Sequence, residues 1–442
     1  MTTAAFDFDT SIDRRPTSST KWNRYKGRDV IPLWVADMDF RCAPAIIEAL
    51  RARVEHGVFG YTEPPEELAP LVVAALQRDH GWRIQSDWIV WLPSLVVGLN
   101  VVSRAFTQEG DDILTAVPIY PPFLSAPQYG NRNVVRVPLR EQTYPSPQPS
   151  PARGEGAFPS PQPSPARGEG AFPSPQPPSA RGEGVLLSAQ RSPTTAEGVW
   201  TWDMAALEAA IGPRSRLLLL CSPHNPTGRV WTLSELEELA RLAARHELIV
   251  VSDEIHAGLV LDADKPHVPF AGLSEAIAER TVTLMSASKT FNVPTLGCAF
   301  AIASNPELRA RMRRTVAGIV HHVGGLGYVA TLAAYRDGRA WQLELLDYLR
   351  GNRDLVERAI GSMHGLRTWH VEATYLAWID ARAAGVDDPV KFFEAAGVGL
   401  YDGAPFGTPG FVRLNFACPR TLLGEALRRM EVALSRVQHA KA

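Results

Sequence analysis

The chain is predicted to be an α/β protein, with a large domain built on a mostly parallel sheet covered by helices and a smaller α/β domain beside it. Three observations lead there. Short apolar runs alternate with amphipathic helical stretches over most of the 442 residues, which implies parallel strands with helices on both faces. A long helical stretch from about Ala340 to Ser362 separates this alternation from a C-terminal remainder with strands of its own. The alternation is interrupted by one proline-rich repeat, so the break reads as an insertion and not as a domain boundary. The length suffices for two sizeable cores.

Taken in order, residues 13–40 read as an N-terminal arm tied down by aromatics, and Pro44 to Arg53 as a helix with Ile46, Ile47 and Leu50 on one face. The stretch from Glu55 to Thr62 is a glycine-rich loop, and Glu66 to His80 a second amphipathic helix. Trp88 to Trp91 is a strand leading into a helix from Leu95 to Phe106, with Ser94 as N-cap. Asp112–Val117 and Asn133–Leu139 are strands. Beyond the insertion come a short helix over Asp203–Ile211 and a strand over Arg216–Cys221. Thr232 and Glu235 form a capping box that opens a helix to His246, with Leu233, Leu236, Leu239 and Leu242 inward. Leu248–Ser252, Thr281–Met285 and Gly297–Ala303 are further strands, and Glu307–Val316 a helix. The segments Leu376–Ile379 and Phe411–Phe416 belong to the small domain, completed by the N-terminal arm.

The interruption begins with PSPQPSPARGEG over 145–156, repeats it letter for letter over 159–170, and returns as PSPQPPSARGEG over 173–184. Twelve of the 36 prolines fall in 145–184, and the copies offer almost nothing apolar to bury. Residues 142–198 are therefore expected to be a disordered or polyproline-like surface insertion. The domains then run 46–339 for the large one and 1–45 with 340–442 for the small one.

Composition bounds the function. Hydrophobic residues make up 45% and charged residues 21%, ordinary for a soluble globular protein, and the formal net charge is -2. Neither nucleic acid nor an anionic membrane is an expected partner. Cys42, Cys221, Cys298 and Cys418 are widely spread, which suggests reduced thiols and neither a disulfide frame nor a metal site. The N-terminus does not read as a signal peptide and no run of about 18 apolar residues occurs, so a cytoplasmic location is expected.

Chemistry concentrates where strands end. Ser286-Ala287-Ser288-Lys289 follows one strand, Asp253 closes another with His256 three residues on, and Asn225-Pro226-Thr227-Gly228 follows a third. These loops at the carboxyl edge are where open α/β sheets bind ligands. The first turn after Ser94 presents free amides and the positive end of a helix dipole, which suits phosphate. With Tyr120 between prolines and Arg413 on a semi-buried strand, this set resembles the pyridoxal-phosphate site of fold type I, aminotransferase-like enzymes. The stretches WVADMDF (34–40) and EHGVFGYT (55–62) narrow the resemblance to the MalY/PatB group of C–S β-lyases, the cystathionine β-lyases.

The resemblance implies that Lys289 carries the cofactor as a Schiff base and moves the Cα proton. It implies that Asp253 keeps the pyridine nitrogen protonated, that Asn225 donates to the ring oxygen and that Tyr120 stacks on the ring. The amides of Leu95 and Val96 and the hydroxyls of Ser286 and Ser288 would take the phosphate. Tyr61 would reach the phosphate of a partner subunit, which implies a homodimer, and Arg413 would hold the substrate carboxylate. His256 stands where aminotransferases of this fold carry tyrosine, and no arginine follows near Gly297. Both departures agree with the lyase group. The implied reaction is α,β-elimination of L-cystathionine or a related cysteine S-conjugate to a thiol, pyruvate and ammonia. The alternatives are an aminotransferase, and an added regulatory role through protein binding.

Overall fold

The computed structural model describes residues 6–142 and 198–441. The repeats at 145–184, and so the body of the expected insertion, lie outside the described residues.

Seven strands form the large sheet: β1 (Ile89–Leu92), β2 (Asp112–Val117), β3 (Asn133–Pro138), β4 (Ser215–Cys221), β5 (Ile249–Asp253), β6 (Thr281–Met285) and β7 (Ala299–Ile302). Their order is β1-β7-β6-β5-β4-β2-β3. The pairings from β6 through β5, β4 and β2 to β3 are parallel, as expected. Strand β7 runs antiparallel to both neighbours. Apolar periodicity does not encode this reversal, which leaves β1 pointing the same way as β6. Leu217 to Leu220 of β4 are fully buried, because a central parallel strand has helices against both faces. Apolar clusters accordingly lie on the two faces of the sheet, one around Leu99, Val102, Leu219 and Leu284, the other around Leu114, Leu218, Trp231 and Leu239.

The helices follow the sequence closely. Leu95–Phe106 (α1) is capped by Ser94, whose Oγ accepts from the Val97 amide at 3.2 Å. Leu233–Arg245 (α2) opens with the expected capping box. Leu236, Leu239 and Leu242 face inward, but Leu233 does not: it is 51% exposed. As the first helical residue it lies on the turn that the cap projects into solvent, so periodicity alone misassigned it.

Gly325–Asp337 (α3) and Arg339–Ser362 (α4) meet at Gly338. A Cβ on Gly338 would lie 2.5 Å from both the Ala334 carbonyl oxygen and the Phe291 ring, so only glycine lets the helices join against the Lys289 loop. Helix α4 backs an antiparallel sheet of β8 (Arg367–Thr368), β9 (Leu376–Asp380), β10 (Tyr401–Asp402) and β11 (Phe411–Asn415), in the order β8-β9-β11-β10. The N-terminal arm joins this part through parallel pairing of Ile31–Pro32 with Val398–Gly399. One apolar cluster unites Phe8, Leu33 and Phe40 of the arm with Leu345, Leu349 and Leu414.

The chain also stays ordered past Leu139. Arg140–Gln142 pairs antiparallel with Val199–Thr201, bringing Gln142 opposite Val199. Both edges of the expected insertion are thus strand ends.

Candidate active site

The carboxyl ends of β1, β2, β4, β5 and β6 face one cavity of about 730 Å³, its open mouth included. It is lined by Ser94, Leu95, Val96, Tyr120, Asp253, His256, Ser286, Ser288 and Lys289, together with Cys221 and Cys298. Residues far apart in sequence converge because parallel strands send all their following loops to the same edge.

Lys289 lies on the turn after β6, and its Nζ donates to the Ala36 carbonyl at 2.6 Å. Burial lowers its pKa to about 8; Arg413 adds to this, while Asp37 and Asp253 oppose it. A fraction of the amine is therefore neutral near pH 7. The same Ala36 carbonyl accepts from the Tyr375 hydroxyl at 3.0 Å.

That carbonyl belongs to a strap, Trp34 to Phe40, laid across the site. Asn292 brackets Met38, accepting from its amide at 2.9 Å and donating to the Met38 and Phe40 carbonyls at 3.1 and 2.8 Å. Asn292 holds a left-handed φ of 56°, which asparagine tolerates. Asn415 donates to the Val35 and Asp37 carbonyls, while Lys21 and Arg14 hold Asp39 at 2.7 Å each. The sequence marked the strap as distinctive. It gave no sign that the main-chain carbonyls would carry its contacts, so Asn292, Tyr375 and Asn415 were missed.

Asp253 is the last residue of β5 and is buried, and its Oδ1 accepts from the Ile255 amide at 3.1 Å. Burial, aided by Glu254 and resisted by Lys289, raises its pKa to about 7. A carboxylate so placed favours a partner that brings a proton or a positive charge. His256, also buried, has no partner for Nδ1 among the described residues, and burial lowers its pKa to about 3, so the ring is neutral.

Arg413, on β11, is 1% exposed. One guanidinium nitrogen donates to Asn225 Oδ1 at 2.9 Å and another to the Trp34 carbonyl at 3.1 Å. Its plane lies 5.0 Å from the Tyr401 ring and 4.9 Å from the Phe406 ring. No carboxylate pairs with it among the described residues, Nε has no partner, and burial lowers its pKa to about 10. A buried cation without a counter-ion is what an anionic ligand would complete. Because Asn225 accepts through Oδ1, its amide group remains available to donate. The Asn-Pro-Thr-Gly turn is closed by Gly228 at φ 71°, where a Cβ would lie 2.8 Å from Val371.

Other expected residues are placed as follows. Leu95 and Val96 supply the first amides of α1, which no intrahelical carbonyl reaches. Tyr120 lines the cavity, with burial raising the pKa of its hydroxyl. Ser288 lines it too, but the Ser286 hydroxyl donates to the Cys298 carbonyl at 2.6 Å and accepts from the Ser288 amide at 3.1 Å. Its proton thus ties the loop after β6 to the Cys298 carbonyl just before β7. Tyr61 is fully exposed and does not line the cavity.

The profile of the aminotransferase class I and II family matches residues 186–430. The chain belongs to that family. Cystathionine β-lyase PatB of Bacillus subtilis (strain 168) is 31% identical over 97% of this chain and 100% of its own length. Among solved structures, OvoB is 42% identical, covering 97% of this chain and 99% of its own with a TM-score of 0.83. Cystalysin from Treponema denticola, solved with pyridoxal 5′-phosphate, is 29% identical over 98% and 99% with a TM-score of 0.82. The fold type I architecture and the likeness to the MalY/PatB group hold.

The donor set fits pyridoxal phosphate: an amine of lowered pKa, an under-partnered buried carboxylate and free helix amides share one cavity. Among the described residues no group of three or more His, Cys, Asp or Glu could hold a metal, and no helix is long and apolar enough to cross a membrane.

Proposed function

We propose that this protein is a pyridoxal-phosphate-dependent carbon–sulfur β-lyase acting on L-cystathionine or a related cysteine S-conjugate. The observation that carries the reading is one cavity at the sheet's carboxyl edge that holds Lys289, its pKa lowered to about 8, beside the buried Asp253, with the buried Arg413 linked to the Asn-Pro-Thr-Gly turn through Asn225 and paired with no carboxylate among the described residues. The names of relatives across the full length support the lyase over other chemistries of the family.

Bound there, the pyridinium ring supplies an electron sink for the pair left at Cα. The side chains do the rest. Arg413 grips the α-carboxylate with its fork and fixes the Cα–H bond relative to Lys289. Lys289, steadied by the Ala36 carbonyl, takes the Cα proton. Asp253 keeps the ring nitrogen protonated, Asn225 donates to the ring oxygen and Tyr120 covers the ring. His256, being neutral, can hydrogen-bond there without adding a charge. The Leu95 and Val96 amides and the Ser288 hydroxyl take the phosphate. Loss of the Cβ–S bond releases a thiol, homocysteine in the case of cystathionine, and the aminoacrylate left behind hydrolyses to pyruvate and ammonia.

The catalytic form is a homodimer in this reading. Val54, Val58, Phe59 and Tyr61 form an exposed apolar group at the end of a helix, suited to packing on a second copy and to bringing Tyr61 to its phosphate. The functional bodies are residues 46–339, and 1–45 with 340–442.

The test supplies purified protein with pyridoxal phosphate and L-cystathionine in the absence of any keto acid. Equal release of pyruvate and thiol, abolished by Lys289→Ala, is expected. Amino transfer only when a keto acid is added would replace this reading with an aminotransferase.

A further inference from the structure

Asp253 and Glu254 are neighbours at the end of β5, and both are buried, yet they are treated differently. Asp253 closes β5 and Glu254 is the first residue beyond it, and side chains alternate sides along an extended chain. Asp253 accordingly lines the cavity with Lys289, while Glu254 lines a second hollow beside His80. Three donors converge on Glu254: the Ser252 hydroxyl at 2.8 Å and the Phe270 amide at 3.0 Å on Oε1, and His267 Nε2 at 2.7 Å on Oε2. His267 Nδ1 is buried without a partner among the described residues, so Glu254 is the carboxylate that this ring meets. His80 packs edge-on to His267 at 5.1 Å, and burial lowers its pKa to about 4, so it brings no positive charge. Three converging donors are how a protein holds a carboxylate as an anion.

We propose that Glu254 is a positioning residue for the reaction: a fixed negative charge behind Asp253 that makes Asp253 the stronger proton acceptor of the site. Two adjacent carboxylates are thereby driven apart in role, one saturated with donors and the other left to meet the cofactor nitrogen. Cys221 and Tyr120 face Asp253 in addition to Lys289, and both have pKa values raised by burial, so neither competes with Glu254 as an anion near neutral pH. Arg413, bonded to Asn225 and the Trp34 carbonyl, adds its charge against those of Lys289 and His256. The proposal rests on the cofactor reading only for the purpose of Asp253, not for the coupling itself.

The experiment is an infrared titration of the full-length chain without cofactor, in which Asp253→Asn identifies the Asp253 carboxylic-acid band. Wild type is expected to titrate near 7. Glu254→Gln, whose amide can still accept from Ser252 and Phe270 and donate to the other His267 tautomer, is expected to lower that midpoint by about one pH unit. Ser252→Ala removes a hydrogen bond but not the charge, and is expected to shift it far less. An unchanged midpoint in Glu254→Gln, or equal shifts in both variants, overturns the proposal. Wild-type protein labelled with 13C at glutamate carboxyls gives a check that needs no variant: a protonated glutamate band at pH 7 assigned to a buried site also overturns it. In loaded enzyme, the 15N signal of labelled pyridoxal phosphate should lose ring-nitrogen protonation at lower pH in Glu254→Gln. A shifted Asp253 with an unresponsive nitrogen would leave the coupling standing and remove Asp253 from the cofactor.

Discussion

Arg229 and Arg413 are both buried arginines, and their surroundings could hardly differ more. Arg229 gives two bonds to Glu372, two to Glu235 and one to the Trp200 carbonyl, all between 2.7 and 2.9 Å, and Lys265 adds a second cation to Glu372. A similar knot nearby joins His370 to Asp262 and Glu357, with Arg353 on Asp262 at 2.6 Å. At Arg413 the guanidinium meets an amide, a carbonyl and two rings, and no carboxylate among the described residues. Burying a charge is costly unless it is paired. The knots have closed that account within the chain and so serve to hold the loop after Asp253 to the small sheet. The site leaves it open, and a ligand can contribute binding only where the chain has not already satisfied itself.

Breaking the knot should give the largest effect on stability. Glu372→Gln leaves Arg229 short of a charge it is built around, and about 3–5 kcal/mol of unfolding free energy should be lost in a denaturant titration. Arg413→Met, by contrast, should leave the cofactor-free chain as stable or more so, because it removes a buried cation that no carboxylate among the described residues pairs with. A large destabilisation there would show that Arg413 is structural after all.

The catalytic side of the contrast is sharpened by Arg413→Lys. It keeps the charge but loses the planar fork, and kcat/KM should fall about 10²-fold with little change in stability, as read from steady-state kinetics beside a denaturant curve.

Titration offers a smaller test. Burial works against the charge of His370, yet its bonds to Asp262 and Glu357 hold its pKa at about 9, above the ordinary 6.5. A raised pKa means that stability is fully present below about 6.5 and is lost as pH rises through about 9. His370→Asn should flatten the stability profile over that window, and an unaltered slope would exclude the knot as its source.

The smallest effect is expected from excising residues 143–198 and joining Gln142 to Val199 through Asn-Gly. These two residues are already register partners, so a two-residue turn can close the ribbon. Cystathionine cleavage and unfolding free energy should stay within about twofold and about 1 kcal/mol of the parent, since the ribbon does not line the cavity. A marked loss of activity would show that the excised segment takes part in catalysis.

What the sequence determined by itself was local and periodic. Alternating apolar runs marked the strands, Ser94 and the Thr232–Glu235 box marked helix starts, and the strand ends marked Asn225, Asp253 and Lys289 as one edge of a sheet. These were legible because burial on both faces and capping act over a few residues. The tertiary structure decided whatever depends on an approach from far along the chain. Periodicity does not encode the antiparallel run of β7, because a buried strand looks alike in either direction. Nor does it show that Leu233 turns outward, that the Ser286 proton is spent on Cys298, or that the Ala36 carbonyl meets Lys289 across 253 residues. A main-chain carbonyl is the same at every position, so its partner is chosen by packing alone. The division between Arg229 and Arg413 was equally hidden, because two arginines on a sequence differ only in which carboxylates the fold brings to them.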